Sequence, residues 1–438
     1  MTLNPNVPPA LKSPASVAAS APADGQHGYR NPGTGYLVGL GIASVAVYAA
    51  SLGTAILTLQ LKANELDPEN ATTLLSIVSG VAGVFALIGN PMFGRLSDRT
   101  TSRFGRRRPY LVLGALLFLL GAVICLIATN TPVLTAGWVV MTLGLSSAQA
   151  GIGATIADQL APERRGPASA LYGIAGGIGA VVGLFLAQLV APSFAAMFLL
   201  PAAVAAVGLI VFAALLKDEQ LPVEARPRTS AIDVVSTFWV NPIRNSGYAL
   251  AFGSRLLIFF AVAAVNGYQA LYMIIQLHIP PAEVGQRVFQ AGVVLAAISL
   301  LTAPLAGKIS DKVGRRKPFV IASAVVFAVG LVIVARAQSF EEFLIGFAIV
   351  GLGQGVYFAV DFALVTQVLP DPTNTAKDLG IMALANSLPS ILVPAIAPAL
   401  LAIGASPDLP QNFSVLFYAG AAAGLIGALL IIPIRKVR

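Results

Sequence analysis

The stretch from Gly94 to Tyr110 reads GRLSDRTTSRFGRRRPY and holds six arginines beside one aspartate, Asp98. Apolar runs long enough to cross a bilayer lie on both sides of it. This pattern predicts a short, strongly cationic connection between two membrane-spanning helices. Within it, Gly105 suits a turn with positive φ, and Pro109 suits the first turn of the next helix, where its missing N–H costs little. Gly94 suits a close approach of two helices or an abrupt helix end.

A shorter copy of this stretch lies in the second half of the chain, where residues 307–319 read GKISDKVGRRKPF. Its aspartate, glycine and proline (Asp311, Gly314 and Pro318) follow those of the first copy by about 210 residues. Pro370-Asp371 follows Pro162-Glu163 at nearly the same distance. Three landmarks in one order indicate a duplicated unit of about half the chain. Such duplication in a helical membrane protein is typical of transporters built from paired repeats.

The composition is too apolar for a soluble protein of this length, with 57% hydrophobic and 11% charged residues and a mean hydropathy of +0.82. At roughly 20 residues per span, the 438 residues can hold twelve helices with short connections. The net charge of +8 does not indicate nucleic-acid binding, because the cations lie in loops between apolar segments. Cys125 is the only cysteine, so no internal disulfide can form. Two histidines, His27 and His278, predict no metal site, and we expect no cofactor.

Twelve apolar runs follow one another along the chain, six in each repeat. They are expected at residues 35–61, 71–94, 109–129, 133–159, 167–191, 193–216, 245–277, 285–307, 318–338, 342–369, 378–403 and 411–434. The sequence therefore predicts an all-α membrane protein, with twelve transmembrane helices in two pseudo-symmetric six-helix bundles over residues 35–216 and 244–438. Residues 1–34, rich in Pro, Ala and Ser, predict a disordered tail rather than a signal peptide. Residues 217–243 predict a linker that lies partly on the membrane surface.

The distribution of lysine and arginine predicts the orientation of these helices. Of the 27 basic residues, 23 fall in the termini, the linker and the even-to-odd loops, three fall in the loops of the other side, and Arg255 lies inside a span. Basic residues collect on the cytoplasmic side of multi-pass proteins. We therefore expect a cell-membrane protein with both termini and both arginine-rich loops in the cytoplasm.

Twelve spans in two halves, with G-x-x-S-D-x-x-G-R-R-x-P loops after the second and eighth spans, resemble the major facilitator superfamily. The resemblance covers the chain after residue 34. It implies a secondary transporter in the lipid bilayer that works by alternating access and binds a small-molecule solute together with a coupling ion, for which we expect a proton. We also expect a monomer that binds no nucleic acid. The insertion in the first loop, residues 97–109, is similar to the loop of sucrose–proton symporters and other glycoside carriers, which implies proton-coupled uptake of a neutral sugar or glycoside.

The resemblance also implies a gate built from charges and glycines at the cytoplasmic ends of the helices, which would latch the halves together when the carrier opens outward. The candidates are Gly94, Asp98, Arg99, Gly105, Arg106, Glu163, Arg164, Arg165, Asp311, Gly314 and Arg315. The alternative interpretation is that these cations only set the topology and have solvated partners, in which case each pair contributes little.

Charges inside the membrane are costly and therefore functional candidates. Arg255 in the seventh span and Asp361 in the tenth both lie roughly 14 Å from the cytoplasmic end at 1.5 Å per residue. Opposite charges at one depth suggest a pair that couples proton and solute binding. Asp158, nearer the cytoplasmic mouth, is the rival for this role. A purely structural salt bridge, or an Arg255 that snorkels to the cytoplasm, is the alternative.

Neutral polar side chains on the four helices that the superfamily places around its cavity are the candidates for solute binding. Those selected are Gln149, Asn266, Gln269, Gln354 and Tyr357, and the first span adds Ser51, Thr54, Thr58 and Gln60. Amides, hydroxyls and aromatic faces are what a sugar requires. The alternative is that a serine or threonine bonds only its own helix backbone.

Other functions stay open at this point. A proton-coupled exporter of a hydrophobic small molecule is the second interpretation, and a non-transporting receptor of the same fold is the third. The sequence contains no catalytic constellation and no P-loop phosphate cradle. We therefore expect no enzyme, and a gradient as the energy source.

The predicted orientation can be tested by cysteine labelling. Cysteines introduced into the loops after the second and eighth spans of a Cys125→Ser protein should be shielded from an impermeant thiol reagent in intact cells and reactive in permeabilised cells. The positive-inside rule is the physical basis. Labelling of either loop from outside would overturn this topology.

Overall fold

In the computed structural model of the protein, the described residues are 32–218, 220–222, 245–369, 375–406 and 410–434, the side chains of residues 362, 363, 375–377 and 379 excepted. The tail expected at residues 1–34 and the linker expected at 217–243 therefore lie almost wholly outside the described residues. Both remain predictions.

Within the described residues, twelve helices are long and apolar enough to cross a membrane, which confirms the expected all-α fold of a multi-pass membrane protein. They are α1 (Thr34–Leu66), α2 (Ala71–Asp98), α3 (Arg108–Leu126), α4 (Thr131–Gln159), α5 (Pro162–Leu189), α6 (Phe194–Leu215), α7 (Ser246–Ile275), α8 (Pro281–Val313), α9 (Lys317–Arg336), α10 (Phe340–Val368), α11 (Thr375–Ser387 continued by Pro389–Leu401) and α12 (Phe413–Ile431).

Local sequence accounts for several helix ends. Asn130 accepts a hydrogen bond from the backbone N–H of Val133 at 3.0 Å and so caps α4, and Ser339 caps α10 in the same way at 3.2 Å from the N–H of Glu342. α2 does not end at Gly94, although a glycine there would permit it, but continues to Asp98.

The two arginine-rich loops turn at their glycines. Gly105 has φ of 93° and Gly314, which ends α8, has φ of 66°. Residues with side chains rarely adopt this region, so the positive φ expected at Gly105 is confirmed. Pro109 lies in the first turn of α3, and Pro318 in the first turn of α9.

Equivalent helices of the two halves pack in the same way. α3 meets α4 through Gly121, where a Cβ would lie 2.8 Å from the carbonyl oxygen of Gly137, and α9 meets α10 through Gly330, where it would lie 2.9 Å from that of Gly346. The small residues allow the helix backbones to approach closely. The duplication seen in the sequence is therefore also a duplication of packing.

α1 departs from regular helix geometry in its middle. Residues Ala49–Thr58 form a π-helix, and within it Gly53 lies against the backbone of Gly183 in α5, with no room for a side chain between them. π-helical segments are rare and often occur at functional sites. The segment sits where α1 passes between its own half and α7 of the other half.

The buried core shows how the halves are joined. One continuous cluster of buried apolar side chains contains residues of both halves, among them Leu57 of α1 and Leu271 of α7. A second cluster, which includes Tyr248, Val320 and Leu364, lies entirely within the α7–α12 half. Only part of the interface between the halves is therefore packed into the common core.

Candidate functional site

The helix bundle has two ends that carry different loops. The arginine-rich end carries the α2–α3 and α8–α9 loops, together with the start of α1 and the end of α12. The opposite end carries the α1–α2 and α7–α8 loops. These two names state only which loops lie together and assign neither end to a side of the membrane.

A buried ion network ties α2, α3 and α4 together at the arginine-rich end. Arg107, whose side chain is 5% exposed, lies 2.7 Å from Asp98 and 2.7 Å from Asp158. It also donates a hydrogen bond to Ser97 at 2.8 Å, and Arg106 pairs with Asp158 at 2.7 Å. Burial on its own lowers the pKa of the Arg107 guanidinium, but the bonds and charges of Asp158 and Asp98 outweigh it and raise this pKa. Arg107 therefore stays charged.

A third carboxylate completes this network from the end of α6. Asp218, just after α6, accepts hydrogen bonds from the backbone N–H groups of Arg107 and Arg108 at 2.5 and 2.9 Å. It thereby satisfies the free N–H groups at the start of α3, where a negative charge is also favoured. Asp218 packs directly against Gly105, whose lack of a side chain leaves it room.

The second loop forms a weaker version of the same arrangement. Asp311 pairs with Arg316 at 2.8 Å, but the aspartate side chain is 67% exposed. Arg315, the residue after Gly314, is exposed as well. A solvated pair of this kind contributes little to stability. The two copies of the motif are thus alike in sequence and different in burial.

The remaining gate candidates lie apart from the ion network. Arg99, Glu163 and Arg164 are exposed, and Gly94 has open space where a Cβ would stand. Arg165 donates to the carbonyl oxygens of Leu160 and Ala157 at 3.0 and 2.9 Å, and so satisfies the end of α4. The ion pairs of Arg106, Arg107 and Arg316 at this end each join residues of the same half. The gating role of these residues remains a prediction.

The second charged site is an ion pair in the middle of the α7–α12 half. Arg255 of α7 lies 2.6 Å from Asp361 of α10, with side chains 15% and 10% exposed. The Tyr357 hydroxyl donates to Asp361 at 2.7 Å, and Arg255 donates to the side-chain oxygen of Asn386 in α11 at 2.6 Å. The guanidinium also lies 5.6 Å from the ring of Phe259. The pairing expected from equal depth is present, and it joins three helices.

The corresponding helices of the first half carry a neutral cluster. Gln149 of α4 donates to the hydroxyl of Tyr48 in α1 at 3.3 Å, and the ring of Tyr48 lies 6.1 Å from that of Tyr172 in α5. α1, α4 and α5 correspond through the repeat to α7, α10 and α11. Both clusters lie about 10 to 20 Å from the arginine-rich end at 1.5 Å per residue. The first half thus carries an amide with two aromatic rings at this depth, and the second half carries an ion pair with an amide.

Of the other solute-binding candidates, Tyr357 belongs to the ion-pair cluster and the rest make separate contacts. Gln354 and Tyr357 border a small space inside the second half, together with Ser323 of α9 and Gly424 of α12. Gln269 is 2% exposed, and its side-chain oxygen has no hydrogen-bond partner among the described residues. Asn266 contributes its backbone carbonyl to a contact with α1. The structure therefore does not gather the five candidates into one site.

The halves meet at the opposite end through a side chain inserted against a helix backbone. The fully buried Gln60 of α1 accepts hydrogen bonds from the N–H groups of Ala270 and Leu271 in α7, at 2.9 and 3.2 Å. It also donates to the carbonyl oxygen of Asn266 at 3.0 Å. In a regular helix the N–H of residue 270 bonds the carbonyl of residue 266. The Gln60 amide bridges these same two groups across the interface of the halves.

Further contacts close this end. Ser76 of α2 and Tyr268 of α7 share a hydrogen bond of 2.6 Å, and the rings of Phe185 in α5 and Phe289 in α8 lie 5.6 Å apart. In addition, α2 packs on α11 where Gly83 meets Ile391. These contacts between the halves all lie on this side of the two clusters. The halves are therefore bonded to each other at the opposite end.

Comparison with known proteins shows which family and which solved structures this architecture resembles. The description of the family model that matches residues 37–300 and 251–438 is Major Facilitator Superfamily. By fold, the chain resembles a mutant of the nucleoside transporter NupG, with a TM-score of 0.71 at 13% identity, covering 92% of this chain and 100% of that one. It also resembles a D-xylose-proton symporter, with a TM-score of 0.67 at 17% identity, covering 92% and 98%. At such identities the likeness shows the shared fold alone.

Two relatives match in sequence over part of the chain. The multidrug resistance protein MdtL of Klebsiella pneumoniae (strain 342) is 34% identical over 134 residues, which cover 30% of this chain and 32% of MdtL. The uncharacterized MFS-type transporter YfiU of Bacillus subtilis (strain 168) is 35% identical over 111 residues, covering 25% and 21%. The chain thus matches about one third or less of the length of these relatives.

The fold and the paired charged sites define a helical membrane protein of two like halves that meet around a central interface. Because the family model spans nearly all of the chain, this protein belongs to the Major Facilitator Superfamily. The resemblance based on the two loops is therefore confirmed. The narrower likeness to sucrose–proton symporters remains a prediction.

Sequence reasoning missed several residues that complete the sites. Asn386 and Tyr48 hold the two central clusters, while Arg107 and Asp218 hold the ion network. The sequence did contain a signal for two of these residues. Arg107 belongs to the arginine run, and Asp218 directly follows the sixth span. Asn386 and Tyr48 are single polar residues within long apolar runs, and their partners come from helices far along the chain. Only the packing of those helices identifies them.

The contribution of Gln60 to closure can be measured by electron–electron distance spectroscopy. In a Glu69→Cys, Ala282→Cys, Cys125→Ser protein, spin labels at positions 69 and 282 report the separation of the halves at the opposite end. Gln60→Leu removes hydrogen bonds worth about 1 kcal/mol each. Three such bonds cross the interface, so we expect the population open at this end to rise by on the order of a hundredfold.

Gln276→Leu is the matched control, since Gln276 is an amide near the same end whose side-chain oxygen has no described partner. It should leave the distance distribution unchanged. Identical distributions for Gln60→Leu and the unsubstituted protein would show that the bridge does not hold this end closed.

Proposed function

We propose that this protein is a proton-coupled secondary transporter that works by alternating access. The observation that carries the proposal is the buried Arg255–Asp361 pair at 2.6 Å. A charged pair inside a membrane bundle is costly to maintain and marks proton or solute pathways in many membrane proteins. Protonation of Asp361 would remove the charge that holds Arg255, which would then keep Asn386 and the ring of Phe259 as its partners among the described residues. The pair thus offers two discrete states within one half.

The interface between the halves supports alternating access. It is bonded through Gln60, Ser76 and Tyr268 at the opposite end, while the Arg107–Asp158 and Arg316–Asp311 pairs at the arginine-rich end each lie within one half. Under this proposal the structure represents the state open at the arginine-rich end. We infer that this end faces the cytoplasm of a cell membrane, as the distribution of basic residues suggests. The loop charges would then latch the halves in the opposite state.

Asp158 is less suited than Asp361 to the coupling role. Two arginines, Arg106 and Arg107, lie 2.7 Å from its oxygens, so loss of its charge would deprive two cations of this partner. Asp361 has one arginine partner and a tyrosine hydroxyl. A carboxylate with fewer cations around it releases and takes up a proton with less disruption. Asp361 is therefore the proposed proton carrier, and Asp158 a fixed element of the ion network.

The proposed solute is a hydrophobic small molecule, moved by export. The clusters on the facing helices contribute the rings of Tyr48, Tyr172 and Phe259 but few amides, because Gln269 and Gln354 lie elsewhere. Apolar and aromatic walls with a few polar groups suit such ligands. The name of MdtL, a multidrug resistance protein, agrees with this choice.

Proton-coupled uptake of a neutral sugar or glycoside is the second candidate. Its support is the first loop, residues 97–109, which is similar to that of glycoside carriers, and the amide–aromatic cluster of Gln149, Tyr48 and Tyr172. Aromatic faces and amides bind sugars as well as drug-like compounds. The two candidates therefore differ in direction and in solute polarity, both of which can be measured.

Coupling can be tested in proteoliposomes with an imposed proton gradient. Asp361→Asn should abolish gradient-driven accumulation of solute while equilibrative exchange continues, because the Arg255 site no longer changes charge state. Arg255→Ala should damage the protein severely, since loss of one partner of a buried pair costs about 3–5 kcal/mol. Asp158→Asn is the comparison variant. Accumulation that survives Asp361→Asn but fails in Asp158→Asn would transfer the coupling role to the first half.

The solute class can be tested by ligand-induced stabilisation of the purified protein. We expect lipophilic cations and neutral drug-like compounds to raise the thermal midpoint, and Tyr48→Ala to abolish this shift when each protein is compared with its own unliganded midpoint. Binding at 100 times the dissociation constant stabilises by about 2.7 kcal/mol, which is readily detected. Stabilisation by mono- and disaccharides, with none by the lipophilic panel, would establish the sugar candidate instead.

A further inference from the structure

A groove on the outer surface of the bundle lies beside the arginine-rich loop, away from the interface of the halves. It has a volume of about 690 Å³, within the range of roughly 300–1,000 Å³ that small-molecule sites occupy. Its walls are one face of α3 and one face of α6, and its mouth is the α2–α3 loop. The residues on which its chemistry depends are Ser102, Phe104, Arg108, Val112, Leu116 and Ile210.

The groove is apolar along its length and polar at one end. Val112, Leu116 and Ile210 are 40%, 58% and 50% exposed, so its walls are open to the lipid that surrounds a membrane protein. From Arg108 to Leu116 the floor follows α3 for about 12 Å at 1.5 Å per residue. Its polar end is formed by Ser102 and Arg108. An occupant must therefore combine a long apolar part with a polar head.

The charge at the mouth determines what kind of head fits. In the described chain, Arg99, Arg103 and Arg108 have no carboxylate within ion-pair distance, since Asp98 and Asp158 are taken by Arg106 and Arg107. The Arg108 guanidinium donates to the backbone carbonyl of Leu216. The nearby Asp218 is engaged by backbone N–H groups of α3. Among the described residues, the mouth therefore carries more positive than negative charge, which an anionic head would balance.

The exposed ring at the mouth fits the same occupant. Phe104 is 58% exposed, and the guanidinium of Arg103 lies 4.8 Å from the centre of its ring. An aromatic side chain beside arginines, at the level where a membrane span begins, suits the boundary between head groups and acyl chains. A loop that faced only water would gain nothing from exposing this ring.

We propose that this groove binds an anionic phospholipid, with its phosphate at Arg103 and Arg108 and one acyl chain along α3 and α6. Basic pockets between membrane helices are suited to anionic head groups. The bound lipid would brace the loop that carries Gly105, Arg106 and Arg107, and so would stabilise the ion network of the first half. This inference concerns the outer surface and does not depend on the proposed transport activity.

The test measures lipid retention by native mass spectrometry on the full chain, after exchange into mixed micelles of phosphatidylglycerol and phosphatidylcholine. The unsubstituted protein should retain phosphatidylglycerol in preference to phosphatidylcholine. Arg103→Gln should reduce this retention about fivefold, because a basic residue near an anionic head group contributes to binding on that scale. The described contact of the Arg103 side chain is with the exposed ring of Phe104, so the variant should remain folded.

Two further variants separate the groove from general surface charge. Arg315→Gln removes another exposed arginine, from the α8–α9 loop, and should leave retention unchanged. Ala214→Phe fills the groove at an exposed position without altering charge and should reduce retention as strongly as Arg103→Gln. Equal retention of the two lipids, or equal losses in Arg103→Gln and Arg315→Gln, would overturn the proposal. So would full retention in Ala214→Phe.

Discussion

The lipid bilayer imposes one constraint on which the rest of this structure depends: polar groups within the bundle must find their partners inside the protein. Backbone groups meet this demand by forming twelve helices. Charged side chains meet it by pairing, as Arg255 does with Asp361 and Asn386. Gln60 meets it by bonding the backbone of α7. Each of these partners lies on a different helix, so satisfying a polar group also fixes how helices are arranged.

The duplicated architecture uses this constraint differently in its two halves. The first copy of the arginine-rich motif surrounds a buried Arg107 and is reinforced by Asp158 and Asp218, whereas the second copy leaves the Asp311 carboxylate exposed. In the middle of the bundle it is the second half, not the first, that buries charged side chains. There the first half carries a neutral cluster around Gln149, and the second half carries the ion pair. Each half therefore has one buried charged network, placed at a different depth.

This asymmetry gives the halves different roles under the proposed mechanism. The second half contains the pair whose state can change, and the first half contains a rigid network close to the arginine-rich loop and the surface groove. Between them, the described contacts at the closed end are hydrogen bonds and ring contacts rather than ion pairs. Hydrogen bonds of about 1 kcal/mol each can be broken and remade without stranding a charge. Such an interface is suited to two states of similar free energy.

Much of the fold follows from the sequence through local rules, and the partners of its polar groups do not. The apolar runs predicted twelve spans, the tight loop predicted the positive φ of Gly105, and the shared depth of Arg255 and Asp361 predicted their pairing. Tertiary structure alone decided that Arg107 became the buried arginine of its run and that Gln60 met the backbone of α7. The physical reason is that periodicity and composition act over a few residues along the chain. The contacts of a polar side chain depend instead on which helices lie beside it, and those that meet Gln60 come from 210 and 211 residues away.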